Sequence, residues 1–174
     1  MRADRLSPEV AAVVHTRRAR APGLAGADCR AAVREAEDLF AAATPGNEPA
    51  WIAYYDRAHL ARDSGRALLH SALNGGEHEE ARARLAESVA RFPEGHSRGK
   101  ALAKANLAVL TMARDDPHHA VALGHDALES LGGVRSDRVD AAPRQLATAG
   151  RRHGRLADVR ELNRRVARVV GTGK

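Results

Sequence analysis

The sequence predicts an all-α protein: a helical-hairpin repeat forming a right-handed solenoid of about four helix pairs, with residues 1–174 as one domain. Three observations carry that prediction. Hydrophobic residues make up 44% of the chain and aromatic ones only 3%, so Ala, Leu and Val must do the packing. Side chains that small suit helices in close approach better than sheets. Apolar residues return at three- and four-residue steps in one stretch after another, and nowhere do they alternate as in a strand. Clusters of Pro, Gly and Asn cut the chain between those stretches.

The first helix is announced by Ser7-Pro8-Glu9, an N-cap followed by proline at the first helical position. Val10, Val13 and Val14 carry it to about Ala21, where Pro22-Gly23 should stop it. A second helix runs from Asp28 through Cys29, Val33, Ala36, Leu39 and Phe40 until Thr44-Pro45-Gly46-Asn47 breaks the chain. The third extends from Trp51 to about Leu73, closed by Asn74-Gly75-Gly76. The fourth, Glu77 to Arg91, places Ala81, Leu85 and Val89 on one face, and Phe92-Pro93-Glu94-Gly95 is the following turn. Lys100 to Ala113 forms the fifth; Asp116-Pro117 then caps and starts a sixth that reaches Leu131 and ends at Gly132-Gly133. Ser136 caps a seventh running to about Gly150, in which Pro143 should impose a kink or delay the start. The last helix carries Leu156, Val159, Leu162, Val166 and Val169 on one stripe and Arg160, Arg164 and Arg168 on another.

Two stretches repeat. Ala81-x3-Leu85-x2-Ser88-x4-Pro93 aligns with Ala120-x3-Gly124-x2-Ala127-x4-Gly132, 39 residues on. In the preceding helices Ala61-x2-Ser64-Gly65-x2-Leu68 aligns with Leu102-x2-Ala105-Asn106-x2-Val109, 41 residues on. Small residues fall where paired helices must approach, and a breaker falls where the second helix ends. This pattern resembles the tetratricopeptide repeat, lengthened beyond its usual ~34 residues by Asn74-Gly75-Gly76 and Asp115-Asp116.

Composition excludes several classes of function. The single cysteine, Cys29, rules out an intrachain disulfide and a thiolate zinc cluster, and no apolar run approaches the roughly 20 residues of a membrane span. Met1-Arg2-Ala3-Asp4-Arg5 lacks the apolar stretch of a secretory signal, so a cytoplasmic protein without membrane association is expected. Gly95-His96-Ser97-Arg98-Gly99-Lys100-Ala101 has one residue too few between its glycines for a phosphate-binding loop, and no strand precedes it. Asp56, His59 and Asp63 share a helical face that could hold a divalent metal, but such polar spacings are routine on solvated helices. Cys29, among alanines, reads as a packed thiol. Trp51, Tyr54 and Tyr55 form the one aromatic cluster, either anchoring the core or reaching a ligand. No catalytic residue, metal ligand or cofactor is expected, and the chain reads as a non-enzyme.

In stacked helix pairs the first helix of each pair lines the concave side. The repeat register places His59, Arg62, Arg66 and His70 there, then Lys100, Lys104, Leu107 and Thr111, then Arg144 and Arg151, with Tyr55 supplied by the aromatic cluster. Cations with few acids among them, Asp63 excepted, favour an anionic protein or peptide partner such as an acidic segment or a terminal carboxylate. The alternative is a structural self-association domain, a homodimer joined through the Leu156 to Val169 stripe. From Arg135 to Lys174 there are 11 basic and 4 acidic residues, which concentrates the net charge of +6 in the C-terminal quarter. Nucleic-acid contact through Arg160, Arg164 and Arg168 would need a reading element as well, and is not expected.

A second resemblance covers nearly the whole chain. Cys29-Arg30-Ala31-Ala32, Glu35-Ala36-Glu37-Asp38-Leu39-Phe40, Pro49-Ala50-Trp51-Ile52-Ala53-Tyr54-Tyr55-Asp56, Gly95-His96-Ser97-Arg98-Gly99-Lys100-Ala101-Leu102 and Gly133-Val134-Arg135-Ser136 resemble the C-terminal repeat domain of XRE-type actinobacterial transcriptional regulators. In that family an N-terminal helix-turn-helix domain binds DNA and the repeat domain is taken to sense a partner or ligand. The resemblance implies a regulatory sensor. The helix-turn-helix domain has no counterpart ahead of Ser7, so direct DNA reading by this chain is not implied.

Overall fold

The computed structural model describes residues 6–44, 46, 48–76, 78–93, 97–131 and 137–171. Among the described residues there are eight α-helices and no strand, which is the all-α class that the composition and periodicity predict. The chain divides into two compact units, Met1–Arg91 and Phe92–Lys174.

The first unit comprises α1 (Pro8–Leu24), α2 (Arg30–Ala41), α3 (Arg57–Leu73) and α4 (Glu79–Arg91). The Ser7 hydroxyl accepts from the Val10 N–H, and Pro8 occupies the first turn, as the sequence predicts. Pro22-Gly23 does not stop the helix. Pro22 lies in the last turn, so the helix loses the one bond its N–H would have given to the Arg18 carbonyl, and α1 still continues to Leu24. The stop is Gly26, whose φ of +77° is costly for any residue with a Cβ. There the Gly26 and Ala27 N–H groups donate to the Gly23 and Pro22 carbonyls, both at 2.9 Å.

Helix α3 begins at Arg57, later than the predicted Trp51. Residues 50–54 form a turn held by Ile52 N–H to Pro49 O (2.8 Å) and Tyr55 N–H to Ile52 O (2.7 Å). Asp56 is extended (φ −102°, ψ −173°) and its carboxylate caps the His59 N–H at 3.0 Å, which fixes the helix start. The turn feeds the core: Ile52 and Tyr55 pack with Val13 and Leu60, joined by Val10 and Phe40.

Helix α1 packs on α2 and α3, and α3 packs on α4. Small residues set these distances. A methyl on Gly23 would stand 2.5 Å from the Ala67 carbonyl oxygen, and one on Gly65 would stand 2.8 Å from Leu85 Cγ. The Ser88 hydroxyl donates to the Ala58 carbonyl across the α3–α4 contact at 2.9 Å, so its burial leaves no donor unmet. Arg84 forks onto Glu37 at 2.5 and 2.8 Å, tying α4 to α2, and Arg57 bonds Glu87 at 3.0 Å.

The second unit comprises α5 (Ser97–Arg114), α6 (Pro117–Leu131), α7 (Asp137–Gly150), a short 3-10 turn (Arg151–His153) and α8 (Ala157–Gly171). The predicted stop at Gly132-Gly133, the cap at Ser136, the start at Glu77 and the turn residues Glu94 and Gly95 lie outside the described residues. Asp116 Oδ1 caps α6 by accepting from the His118 N–H at 2.8 Å, and Pro117 opens the helix as predicted. Pro143 does not delay α7, which starts at Asp137 and buries the proline ring.

Helix α5 packs on α6 and α7, and α8 packs on α6 and α7. One alanine from each of three helices, Ala105, Ala127 and Ala142, meets at a common point, beside a second cluster of Ala101, Leu131 and Val139. Gly124 leaves room for Leu146 and Leu162; a methyl there would be 2.8 and 3.0 Å from their Cδ2 atoms. Val159, Leu162 and Val166 are buried within this unit, so most of the stripe considered for self-association is already covered by α6 and α7. The Arg152 guanidinium donates to the Met112 carbonyl at 3.1 Å and to the Ala113 carbonyl, closing the C-terminal end of α5. Among the described residues no helix is long and apolar enough to cross a membrane.

Two predictions test this packing. Ala120 is fully buried on α6 and Ala122 is exposed two residues on. Ala120→Phe should destabilise the protein by about 1–3 kcal/mol through overpacking, with Ala122→Phe near neutral; chemical denaturation of both variants measures the difference. At the start of α6, His118 Nδ1 lies 2.6 Å from Asp158 Oδ2 on α8. The bond to Asp158 raises the His118 pKa above 6.5, and the bond from His118 lowers the Asp158 pKa below 3.8. The stabilising contribution is therefore full between pH 3.8 and 6.5, and is lost as pH rises through the folded His118 value or falls through the folded Asp158 value. The stability difference between the natural protein and His118→Gln should peak inside that window, vanish toward alkaline pH and shrink with salt, measured by thermal unfolding across pH.

Candidate functional site

The first unit contributes Tyr55, His59, Arg62 and Arg66, all at the start or along one side of α3. The structure places two of them in the interior: Tyr55 is 6% exposed and His59 9%. Tyr55 holds its hydroxyl 3.5 Å from Asp63 Oδ2, and burial, reinforced by the Asp63 charge, raises its pKa so that it remains a donor. Arg62 donates to Asp63 Oδ1 from Nε at 3.0 Å and from Nη2 at 2.9 Å, with only 14% and 15% of the two side chains exposed. That charge is balanced inside the unit.

His59 sets Nδ1 2.7 Å from Asp56 Oδ1 and its ring centroid 5.3 Å from Tyr54 and 5.9 Å from Tyr55. Burial works to raise the Asp56 pKa, but hydrogen bonds from the His59 ring and backbone N–H prevail and hold the carboxyl below its usual range. The suggested metal set is thus divided. Asp56 and His59 bond each other while Asp63 turns to Arg62 and Tyr55, and among the described residues no group of three or more His, Cys, Asp or Glu could hold an ion. Arg66 is half-buried, and His70, also assigned to the concave side, is 7% exposed.

The second unit contributes Lys100, Lys104 and Arg144. Lys104 Nζ lies 2.6 Å from Asp126 Oδ2 on α6. Arg144 Nη2 is 3.8 Å from Asp140 Oδ2, beyond hydrogen-bond distance, and 52% of its side chain is exposed. Lys100 and Leu107 are half-buried, Thr111 is buried and Arg151 is exposed. The expectation of cations with few acids among them is therefore corrected in both units. Asp63, Asp126 and Asp140 each stand beside one of the named cations, and a counter-charge offsets the cost where the charged head is drawn out of water, as at Arg62.

Sequence reasoning missed Asp126, which reaches Lys104 from 22 residues away. Asp140 could have been found, since it precedes Arg144 by one helical turn. The aromatic cluster divides: Tyr55 is core, whereas Trp51 and Tyr54 are 66% and 58% exposed on the turn before α3. Cys29 is buried, and burial followed by the Asp28 charge pushes its thiol up, away from the thiolate form.

The arrangement defines an all-α protein of packed helix pairs whose candidate residues carry charge rather than nucleophiles. No family model, curated protein or solved structure matches the chain.

The partly buried Arg62–Asp63 pair makes a firm prediction. Arg62→Glu would set two carboxylates side by side beneath Tyr55 and should cost about 3 kcal/mol of stability. Arg62→Met, which keeps the stem and removes the charge without adding a second carboxylate, should cost less than Arg62→Glu; chemical denaturation of both variants measures the difference.

Proposed function

We propose that this chain is a non-enzymatic helical-repeat binding module that recognises a protein or peptide partner, in the manner of the sensor half of a transcriptional regulator. One observation carries the reading. In each unit the first helices of successive pairs lie against each other, α1 on α3 and α5 on α7, while each also packs on its own second helix. Stacking of this kind is what helical-hairpin repeats use to build a one-dimensional array, so a right-handed tetratricopeptide-like solenoid of four pairs is part of the same proposal. The first helices also carry the half-exposed cations Arg66, Lys100 and Arg144.

The partner class follows from that chemistry. Cations held on rigid helices favour a segment with carboxylates, and the exposed rings of Trp51 and Tyr54 offer apolar area at little entropic cost. Self-association through the α8 stripe is the weaker reading, because Val159, Leu162 and Val166 are spent on the unit's own core.

Arg144 is the position to test, since half of its side chain is in solvent and its 3.8 Å approach to the buried Asp140 is beyond hydrogen-bond distance; the neutral variant removes the charge without setting a second carboxylate beside Asp140. Arg144→Gln should leave the chain folded and weaken an acidic peptide tenfold to a hundredfold, the equivalent of a charge-assisted contact of about 1.5–3 kcal/mol. Calorimetry with peptides of matched length, acidic or neutral and with a free or amidated C-terminus, measures it. Affinity that is independent of peptide charge and unchanged in Arg144→Gln would overturn the anionic assignment. A dimer by light scattering together with no peptide binding would favour self-association.

A further inference from the structure

The end of the second unit carries charge that the partner-binding reading leaves unused. Between Arg151 and Gly171 there are seven arginines against two acids, Asp158 and Glu161. Two of the arginines turn inward: Arg152 donates to the Met112 and Ala113 carbonyls at the end of α5, and Arg165 Nη1 lies 2.9 Å from His125 Nδ1 on α6. The other five, Arg151, Arg155, Arg160, Arg164 and Arg168, are exposed and follow one another at steps of four or five residues. Arg160 donates from Nη1 to the Gly154 and Arg155 carbonyls at 3.2 and 3.0 Å, which anchors its head over the turn that joins Arg151 to α8 without cancelling its charge. Arg164 and Arg168 are drawn to one side of α8 by the same carboxylate, Glu161, whose oxygens lie 2.5 and 3.5 Å from their Nη2 atoms. Asp158 turns away to His118 at 2.6 Å. On the helices packed against α8, Asp126 is taken by Lys104 and Asp140 stands beside Arg144.

The partner follows from the form of this row. Arg160, Arg164 and Arg168 rise about 6 Å apart along a rigid helix. A nucleic-acid duplex presents about one negative charge per 1.7 Å of its axis, so such a row meets phosphates wherever it lands. An acidic peptide would need carboxylates placed at the same interval, and the planar guanidinium fork matches phosphate oxygens. Composition favours the backbone over the bases. Residues 151–171 contain no Phe, Tyr or Trp on which an unpaired base could stack. Their one side-chain amide, Asn163, has its Oδ1 buried, so no Asn or Gln is offered to a base edge. We propose that the exposed arginine row from Arg151 to Arg168 is a sequence-neutral docking face for the phosphate backbone of a nucleic-acid duplex. Contact of this kind positions without reading, so it needs no recognition element. It goes beyond the partner-binding reading, whose cations Arg66, Lys100 and Arg144 lie on first helices, whereas α8 is the second helix of its pair.

Fluorescence anisotropy of the full chain with two labelled DNA duplexes of unrelated sequence, each about 20 base pairs long, tests the face in potassium chloride from about 50 to 200 mM. The two affinities should agree within about twofold, and the logarithm of the association constant should fall against that of salt with a slope of about −3 to −5, the release expected of a few phosphate contacts. Arg160→Gln, Arg164→Gln and Arg168→Gln combined should weaken binding by about tenfold or more and make the slope shallower by about 2–3. Arg17→Gln, Arg18→Gln and Arg34→Gln combined, which remove the same net charge from exposed positions of the first unit, should change the affinity by less than about threefold. Thermal unfolding checks each variant. Because Arg160 also closes the turn before α8, Arg164→Gln with Arg168→Gln carries the test if the triple variant is not folded. No binding at about 50 mM salt, a slope near zero, or equal losses in the two triple variants would overturn the face. Displacement of the duplex by poly-glutamate as readily as by unlabelled duplex of equal charge would overturn it too, assigning the row to acidic protein segments. Arg144→Gln should leave duplex affinity unchanged while weakening the acidic peptide, so this proposal and the partner-binding reading fail separately.

Discussion

Close approach of helices at residues with little or no side chain is the constraint on which both units depend. Aromatic residues are only 3% of the chain, so contact area must come from backbones brought near one another instead of from large side chains reaching across. Gly23 against the Ala67 carbonyl, Gly65 against Leu85, and the meeting of Ala105, Ala127 and Ala142 are three instances of one solution. The two aligned sequence stretches differ in bulk. Leu85 fills the space over Gly65 in the first unit, whereas Gly124, aligned with Leu85 in sequence, is the recess into which Leu146 and Leu162 fit. The helix pairs share a pattern without sharing a jigsaw.

Packing that tight has an electrostatic consequence. Helices rich in arginine cannot approach without burying guanidinium stems, and the structure answers mostly with local counter-charges. Asp63 takes Arg62, Glu37 takes Arg84 and Asp126 takes Lys104. Hydrogen bonding is less complete than charge matching: Glu9 Oε2, Arg20 Nε, Ser64 Oγ, His70 Nε2 and Asn163 Oδ1 are buried without a hydrogen-bond partner among the described residues.

The same reasoning separates positions that hold the fold from positions free to bind. Arg62 and Arg144 are equivalent in the sequence register, yet one is locked beneath Tyr55 with Asp63 and the other extends with half its side chain in solvent. Trp51 and Tyr54 lie on the solvent side of a turn whose other residues, Ile52 and Tyr55, complete the core. The adjacent tyrosines Tyr54 and Tyr55 therefore divide, one in solvent and the other in the core.

The sequence by itself determined the all-α class, the eight helices of the described residues and the caps at Ser7 and Asp116, because periodicity, proline position and side-chain capping are local properties that need no partner. It also determined the small-residue positions, since Ala81, Ala105, Ala120 and Ala127 are all buried. It misplaced the end of α1 and the start of α3. Pro22 reads as a breaker in isolation but sits so near the end of α1 that only one helical bond is lost, and Asp56 outcompetes Trp51 as a start only because the turn before it packs Ile52 and Tyr55 onto Val13 and Leu60. Tertiary structure alone decided which distant charges meet. Lys104 meets Asp126 on a neighbouring helix, and Arg84 on α4 meets Glu37 on α2. Charge in a sequence is a property of residues, whereas the availability of that charge depends on what each helix is pressed against.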